Sequence, residues 1–250
     1  MQQRPTRSDL FKLGGLAALV GGALGIILNL LHPRSTDNVG SVRGHLEMIA
    51  NSDLWRLIHV GLGLAVALGL IGVIAIALSM AGSPGEEWAR TWLIFTAASS
   101  AVLLVLLAID GTAMKAMADG WLDGGKDAGA FAAAHAVEVI STALFGAGTA
   151  LYFGVAPLLF GMAVFATGVY PKALGQAAMA AGGLGLLTSL LMAIQGVTTL
   201  NSVFLFPVAS LLGTIVLMWA GWELWKGQAS AGLTRSTTVT KTETPVTPGL

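Results

Sequence analysis

The sequence contains no cysteine. That absence removes disulfides, thiolate nucleophiles, Cys-ligated zinc and Cys-ligated iron–sulfur clusters. Charge is scarce too: Asp, Glu, Lys and Arg make up 10% of the 250 residues, against about 25% in an ordinary soluble domain. The 13 basic and 13 acidic residues cancel. Nothing resembles the basic patch that nucleic acid requires, so nucleic acid is not an expected partner. Only four histidines occur, and none stands in His-x-x-x-His or His-Glu-x-x-His spacing. There is no Gly-x-Ser-x-Gly elbow. Glycine pairs such as Gly14-Gly15 and Gly182-Gly183 lie inside apolar runs, not between a strand and a helix, so they are not phosphate loops.

What the chain has is apolar length. It is 55% hydrophobic with a mean hydropathy of +0.78. Apolar runs cover about 13–31, 54–80, 88–117, 131–164, 173–195 and 203–225. Each is long enough to cross a bilayer as a helix at about 1.5 Å per residue. The fold class read from this is all-α, a polytopic membrane helix bundle of six transmembrane helices, with the lipid bilayer as its first partner. The first run ends in Leu31-His32-Pro33-Arg34 instead of a small-x-small cleavage site, so it is expected to be a retained span. Residues 1–12 form a polar N-terminus and 13–226 the membrane domain. Residues 227–250 are rich in Ser, Thr, Pro and Gly and are expected to form a disordered tail.

Local signals refine this outline. A short helix is expected over Val42–Ala50, with Ser52 or Asp53 as N-cap of the second span. Trp55, Trp88 and Trp92 stand where spans begin, as in an aromatic belt. The fourth span is expected to bend at Pro157. Ala177/Ala181/Gly185 and Ala178/Gly182 have small-xxx-small spacing, so Gly182 and Gly185 are expected to face a neighbouring helix. Thirty-three glycines in such a chain fit close helix contacts generally.

With six spans both termini share a side. That side holds eight Lys and Arg residues and the other side five, so the positive-inside rule predicts cytoplasmic termini in the cell membrane. The acids lean the opposite way: Asp37, Glu47, Asp53, Asp110, Asp119, Asp123, Asp127 and Glu138 lie on the side away from the termini.

All four histidines, His32, His45, His59 and His135, fall in that same half, with Asp110 and Glu138 at a similar depth. An ionisable group inside a span costs about 2.5–3.5 kcal/mol on insertion scales, so each needs a reason. His135 and Glu138 are three residues apart and are expected to share one helix face. His59, His135, Glu138 and Asp110 are therefore expected to converge in one polar pocket. The expected pairs are His59 with Glu138, and Asp110 with Arg56 or Lys115. Three readings stay open: interface anchors in an integral membrane protein with a structural or interaction role; a haem or divalent-metal site with His59 and His135 as cofactor ligands and Glu138 and Asp110 as further metal ligands; or a small-solute or ion carrier with Glu138 or Asp110 titrating. The other half lacks His and Cys, so bis-His ligation would allow one haem at most, which argues against a transmembrane electron wire. Asn29, Gln195 and Asn201 are further candidates for lining a polar cavity. An enzymatic role is left open, as is an oligomer or membrane-protein partner.

Towards its end the chain reads Tyr170-Pro171-Lys172-Ala173-Leu174-Gly175, then Gly182-Gly183-Leu184, then Trp219-Ala220-Gly221-Trp222-Glu223-Leu224-Trp225. About a quarter of the sequence thereby resembles a family of bacterial multi-pass membrane proteins of six to seven spans. The resemblance implies a helical membrane fold and brings no activity with it.

Overall fold

Six helical stretches are long and apolar enough to cross a membrane: Asp9–Leu31, Trp55–Ser79, Glu86–Asp123, Ala128–Thr167, Lys172–Gln195 and Thr199–Trp225. They belong to a computed structural model that describes residues 7–34 and 41–227, with side chains from Asp9 onward. Among the described residues there is no strand. In chain order the helices are α1 (Arg7–Leu31), α2 (Val42–Ala50), α3 (Trp55–Ser79), α4 (Glu86–Ala108), α5 (Lys115–Asp123), α6 (Ala128–Gly148), α7 (Ala156–Thr167), α8 (Lys172–Gln195) and α9 (Phe206–Trp225). Large apolar side chains stand outward, among them Leu30 at 76% exposure, Ile94 at 70% and Ile194 at 72%. In water such a surface would aggregate; in a bilayer it is the lipid face. The protein is an all-α, membrane-embedded bundle. The expected tail from 228 onward lies outside the described residues.

Small residues set the helix spacing. A Cβ placed on Gly72 of α3 would lie 2.6 Å from the Cβ of Ala18 on α1. Gly15, near the start of α1, meets the carbonyl oxygen of Gly221 and the backbone of Trp225 at the end of α9, so the first and last spans have their terminal ends together. Gly182 and Gly185 of α8 press on the stretch joining α6 to α7. An added Cβ would lie 2.7 Å from Gly154 O at Gly182 and 2.5 Å from Phe153 C at Gly185. Without a hydrophobic drive between helices in lipid, such van der Waals contact is what holds spans together.

Of three π-helical segments, Ile109–Met114 and Thr149–Val155 interrupt long helices and Thr199–Leu205 opens the last one. The second and third run straight into Pro157 and Pro207, each in the first turn of the helix that follows. Proline has no N–H to give to the preceding turn. The chain widens instead, and the N–H groups of Ala156 and Phe206 donate to Leu151 O and Asn201 O, five residues back. The bend expected at Pro157 is thus a π segment just before it. The first segment has no proline. It contains Gly111, where a Cβ would come within 2.9 Å of His59 Cγ and collide with His59 Cβ.

Several local expectations need correction. The third helix does not stop near Met117 but continues through α5 to Asp123. Ala118 and Trp121 bury there against Leu46 and Ile49 of α2, and that apolar contact carries the helix past the span. The fourth begins at Ala128, where Asp127 Oδ1 caps it by accepting from the N–H groups of Gly129 and Ala130 at 2.8 and 3.0 Å. It ends at Thr167 before Gly168 at φ 64°, a left-handed conformation that suits glycine. Neither Ser52 nor Asp53 caps α3; Leu54 holds that position and makes no side-chain cap bond. Trp55 is no belt residue, for it is 1% exposed.

The α8 contact yields a prediction. Gly185→Leu has to displace backbone, whereas Gly183 has nothing within 4 Å of a built Cβ. Gly185→Leu is expected to lower stability by at least about 1–3 kcal/mol, the usual cost of overpacking, and Gly183→Leu to change it little. Thermal melts in lipid nanodiscs check this; equal melting of the two variants would contradict the packing described.

Candidate functional site

The site starts with two residues one turn apart at the head of α3, Trp55 and His59. His59 is 3% exposed. Its Nδ1 lies 2.8 Å from the carbonyl oxygen of Trp55, and its Nε2 lies 3.1 Å from Asp110 Oδ2. A carbonyl oxygen only accepts, so Nδ1 carries a hydrogen. The Nε2–Oδ2 contact then needs one more proton, on either the ring or the acid. Trp55 Nε1 donates to the backbone carbonyl of Asp110 at 2.8 Å. One tryptophan thus grips the π turn while its own carbonyl orients the histidine. Gly111 leaves room for the ring to sit against that turn.

A second histidine–carboxylate pair lies beside the first. Ser41 caps α2 by accepting from Gly44 N. Leu46 and Ile49, both fully buried, pin α2 down with about 1.5–3 kcal/mol each. His45 is thereby held over α6, its Nδ1 2.9 Å from Glu138 Oε1. Burial alone would lower the pKa of His45. The hydrogen bond and charge of Glu138, with the charge of Asp110, outweigh burial and raise it above 6.5. His32, just past α1, behaves oppositely. Burial, then the proximity of His59, lowers its pKa to about 4. Its ring packs edge-on against Trp55 and His59, with centroids 4.9 and 5.1 Å away. His32 Nδ1 donates to Pro33 O at 2.9 Å, which leaves Nε2 as the bare nitrogen at neutral pH.

Both pairs border one cavity of about 470 Å³. Its wall carries the polar residues Asn29, His32, Arg34, His45, Asp110 and Glu138; the rest mixes apolar side chains, including Leu62, Val66, Leu107, Phe145 and Phe206, with the hydroxyls of Ser and Thr. Each π segment contributes to the lining: Asp110 from the first, Thr149 and Phe153 from the second, Ser202 and Val203 from the third. π segments are rare and recur at functional sites. Two buried oxygens in this wall, Asp110 Oδ1 and Glu138 Oε2, have no hydrogen-bond partner in the protein.

The sequence candidates therefore divide. His59, Asp110 and Glu138 line one cavity. His135 does not: it is exposed, its ring beside Phe131 at 5.9 Å. The inward stripe of α6 passes through Ala134, Glu138, Ser141 and Phe145, so Ala134 takes the inner position and His135 falls beside it. The expected pairings also change. His59 binds Asp110, not Glu138, and Glu138 binds His45. Arg56 and Lys115 both reach Asp119 instead of Asp110. Among the described residues no three His, Asp or Glu side chains could hold a metal ion. Both nitrogens of His59 are engaged, so it has no free lone pair for haem iron either. Asn29 lines the cavity as expected, where its carbonyl and Oδ1 accept from Arg34 Nη2 at 2.8 and 2.5 Å. Gln195 is exposed, and Asn201 is buried in a local capping box with Thr198. Sequence spacing missed the bond from His45 to Glu138 and the central place of Trp55. The one available signal was the amphipathic run Val42–Ala50, which puts His45 one residue before Leu46.

His45 generates a pH prediction. Its pKa in the fold lies above the unfolded value, so its contribution to stability is complete below about pH 6.5 and is lost as pH rises through the raised value. Native stability is expected to fall as pH rises above about 6.5, the ordinary histidine value. His45→Gln is expected to flatten that slope. Denaturation at a series of pH values checks it; an unchanged slope in the variant would contradict the assignment.

Comparison with known proteins adds no relative: no family model matches the chain, and neither a curated protein nor a solved structure matches it.

Proposed function

We propose that this membrane protein binds an amphipathic small molecule in the cavity between α1, α2, α3, α4, α6 and α9. The observation that carries the reading is the two-sided wall. A cluster of His, Arg, Asp and Glu stands together in it, and mainly Leu, Val and Phe side chains, with a few Ser and Thr hydroxyls, bound the remainder. About 470 Å³ is within the usual range for small-molecule sites, about 300–1,000 Å³. The polar end suits a head group and the apolar part a tail, the arrangement of a molecule drawn from the bilayer. The π segments widen three helices at the same place, which is how the bundle makes room without unpaired backbone in lipid.

A binding role fits better than transport. Polar groups in the half nearer the termini bond one another, Ser79 with Tyr170 at 2.9 Å and Glu223 with Trp219 and Lys226 at 3.1 and 3.4 Å. None of them lines the cavity. The eight-to-five excess of Lys and Arg on the terminal side supports cytoplasmic termini in the cell membrane and a site in the outer leaflet. A reporter fused after Gly227 is then active only if it functions in the cytoplasm; activity restricted to exported reporters would reverse the orientation.

Native mass spectrometry of the protein extracted from its membrane tests the reading. The wild type is expected to retain a non-covalent amphiphile. Leu107→Trp, which fills the apolar part, is expected to lose at least about nine-tenths of it, a tenfold or 1.4 kcal/mol change. No adduct on the wild type, or equal adducts on both proteins, would overturn the proposal.

A further inference from the structure

We propose that Phe153 fixes the tail length of the bound amphiphile, because its ring divides the site from a second apolar cavity beneath it. The inference rests on the amphiphile reading and adds a selectivity for tails of one length. It starts from that second cavity, about 70 Å³ in volume, with Val73, Trp92, Phe160 and Leu217 in its wall. No charged residue lines it. A charged head group would find no partner there, whereas a hydrocarbon end fits it.

The two cavities are stacked along the bundle. On α3 the first is lined by Val66 and the second by Val73; on α4 by Leu103 and Thr96; on α9 by Phe206 and Gly213. Each step is seven residues, or two helical turns of about 10 Å. Each leads away from the histidines and towards the end where Gly15 meets Gly221. Among the described residues Phe153 alone lines both cavities. Its ring meets Phe206, of the first cavity, edge-on with centroids 5.3 Å apart. Its Cδ1 lies 3.9 Å from a Cβ built on Gly213, of the second. The ring thus stands between the two volumes. Its main chain is held, because Gly185 of α8 packs on the Phe153 carbonyl. The partition is therefore a side chain on a fixed backbone.

Selection by length follows from the solvent. A tail that leaves the bilayer for this site gains little from burial, since lipid is as apolar as the wall. Fit then decides. A tail that ends short of Phe153 leaves a void, and the lining forfeits its dispersion contacts there. A tail that runs further has to push the ring off its rotamer and out of contact with Phe206, which is overpacking. Retention therefore peaks at the length that just reaches the ring. Removing the ring joins the two volumes and moves the peak to longer tails, while the head stays with the polar cluster.

Photolabelling of the full chain in zwitterionic nanodiscs tests this, with straight-chain alcohols from hexanol to octadecanol that carry a diazirine at the tail end. Intact mass gives the amount of each adduct, normalised to that probe's content in the lipid, and peptide mapping gives its place. On the wild type the adducts are expected to peak at one tail length, labelled near Phe145 and Phe206. Longer tails are expected to label at least about fivefold less, the lower end of overpacking costs. Phe153→Ala is expected to shift the peak to longer tails and the label to Trp92 and Phe160, both buried from lipid. Phe153→Leu, the milder change, is expected to shift the peak in the same direction and carries the test if the alanine variant does not fold. Gly213→Leu added to Phe153→Ala refills the second cavity and is expected to bring the peak back. A peak that stays in place in the folded Phe153 variants, or a wild-type label already on Trp92 or Phe160, would overturn the length assignment and leave the amphiphile reading standing. No labelling of the cavity above that of Leu107→Trp would overturn both.

Discussion

The contact between His59 Nε2 and Asp110 Oδ2, 3.1 Å long, decides how this end of the bundle is built. Either group alone would be expensive at the depth of a span. Together they satisfy each other, and the remaining nitrogen of the ring is satisfied by the carbonyl of Trp55. The pair demands a tight local geometry. Asp110 has to present its carboxyl group to His59 and its backbone carbonyl to Trp55 Nε1 at once, and the π turn over Ile109–Met114 does this. The ring has to lie against that turn, which requires Gly111. α2 closes over the assembly through Leu46, Ile49 and Trp55 in one apolar cluster, and this brings His45 to Glu138.

The same constraint explains where the cavity lies. Regular α-helices packed through small residues leave little space, as α1 and α3 show at Gly72 and Ala18. Space opens where the helices widen, ahead of Pro157 and Pro207 and around Asp110. α6 adds to it, because it buries only Ala134, Ser141 and Gly148 fully. Its inner stripe is left to face the opening with Glu138, Thr142 and Phe145. Polar and apolar lining then meet in one volume, since the ionisable residues occupy the ends of helices whose middles are hydrophobic.

Much of this was legible in the chain itself. The six spans follow from apolar length, the short helix Val42–Ala50 from its pattern, and the close faces at Gly182 and Gly185 from small-residue spacing. The clustering of ionisable groups in one half was also plain, because span order alone puts His32, His59, Asp110 and Glu138 at one end. Pairing was not legible. Whether Glu138 meets His45 or His59 depends on how far α2 folds back, which helical periodicity does not carry. His135 misled because spacing of three residues limits two side chains to neighbouring directions, and on α6 only one of those directions points inward. Trp55 looked like a belt residue because a tryptophan at a span end has the same local sequence whether it meets lipid or a buried carbonyl. The π segment at Asp110 has no proline to announce it.

The most direct test is the protonation of the His59 ring. Nitrogen-15 NMR of histidine-labelled protein in nanodiscs, assigned with His59→Gln, reads each ring nitrogen separately. The account predicts that Nδ1 of His59 carries a hydrogen across the neutral pH range, and that the Nε2 signal shifts when Asp110 is changed to Asn. An Nδ1 without a hydrogen, or an Nε2 signal indifferent to Asp110, would contradict it.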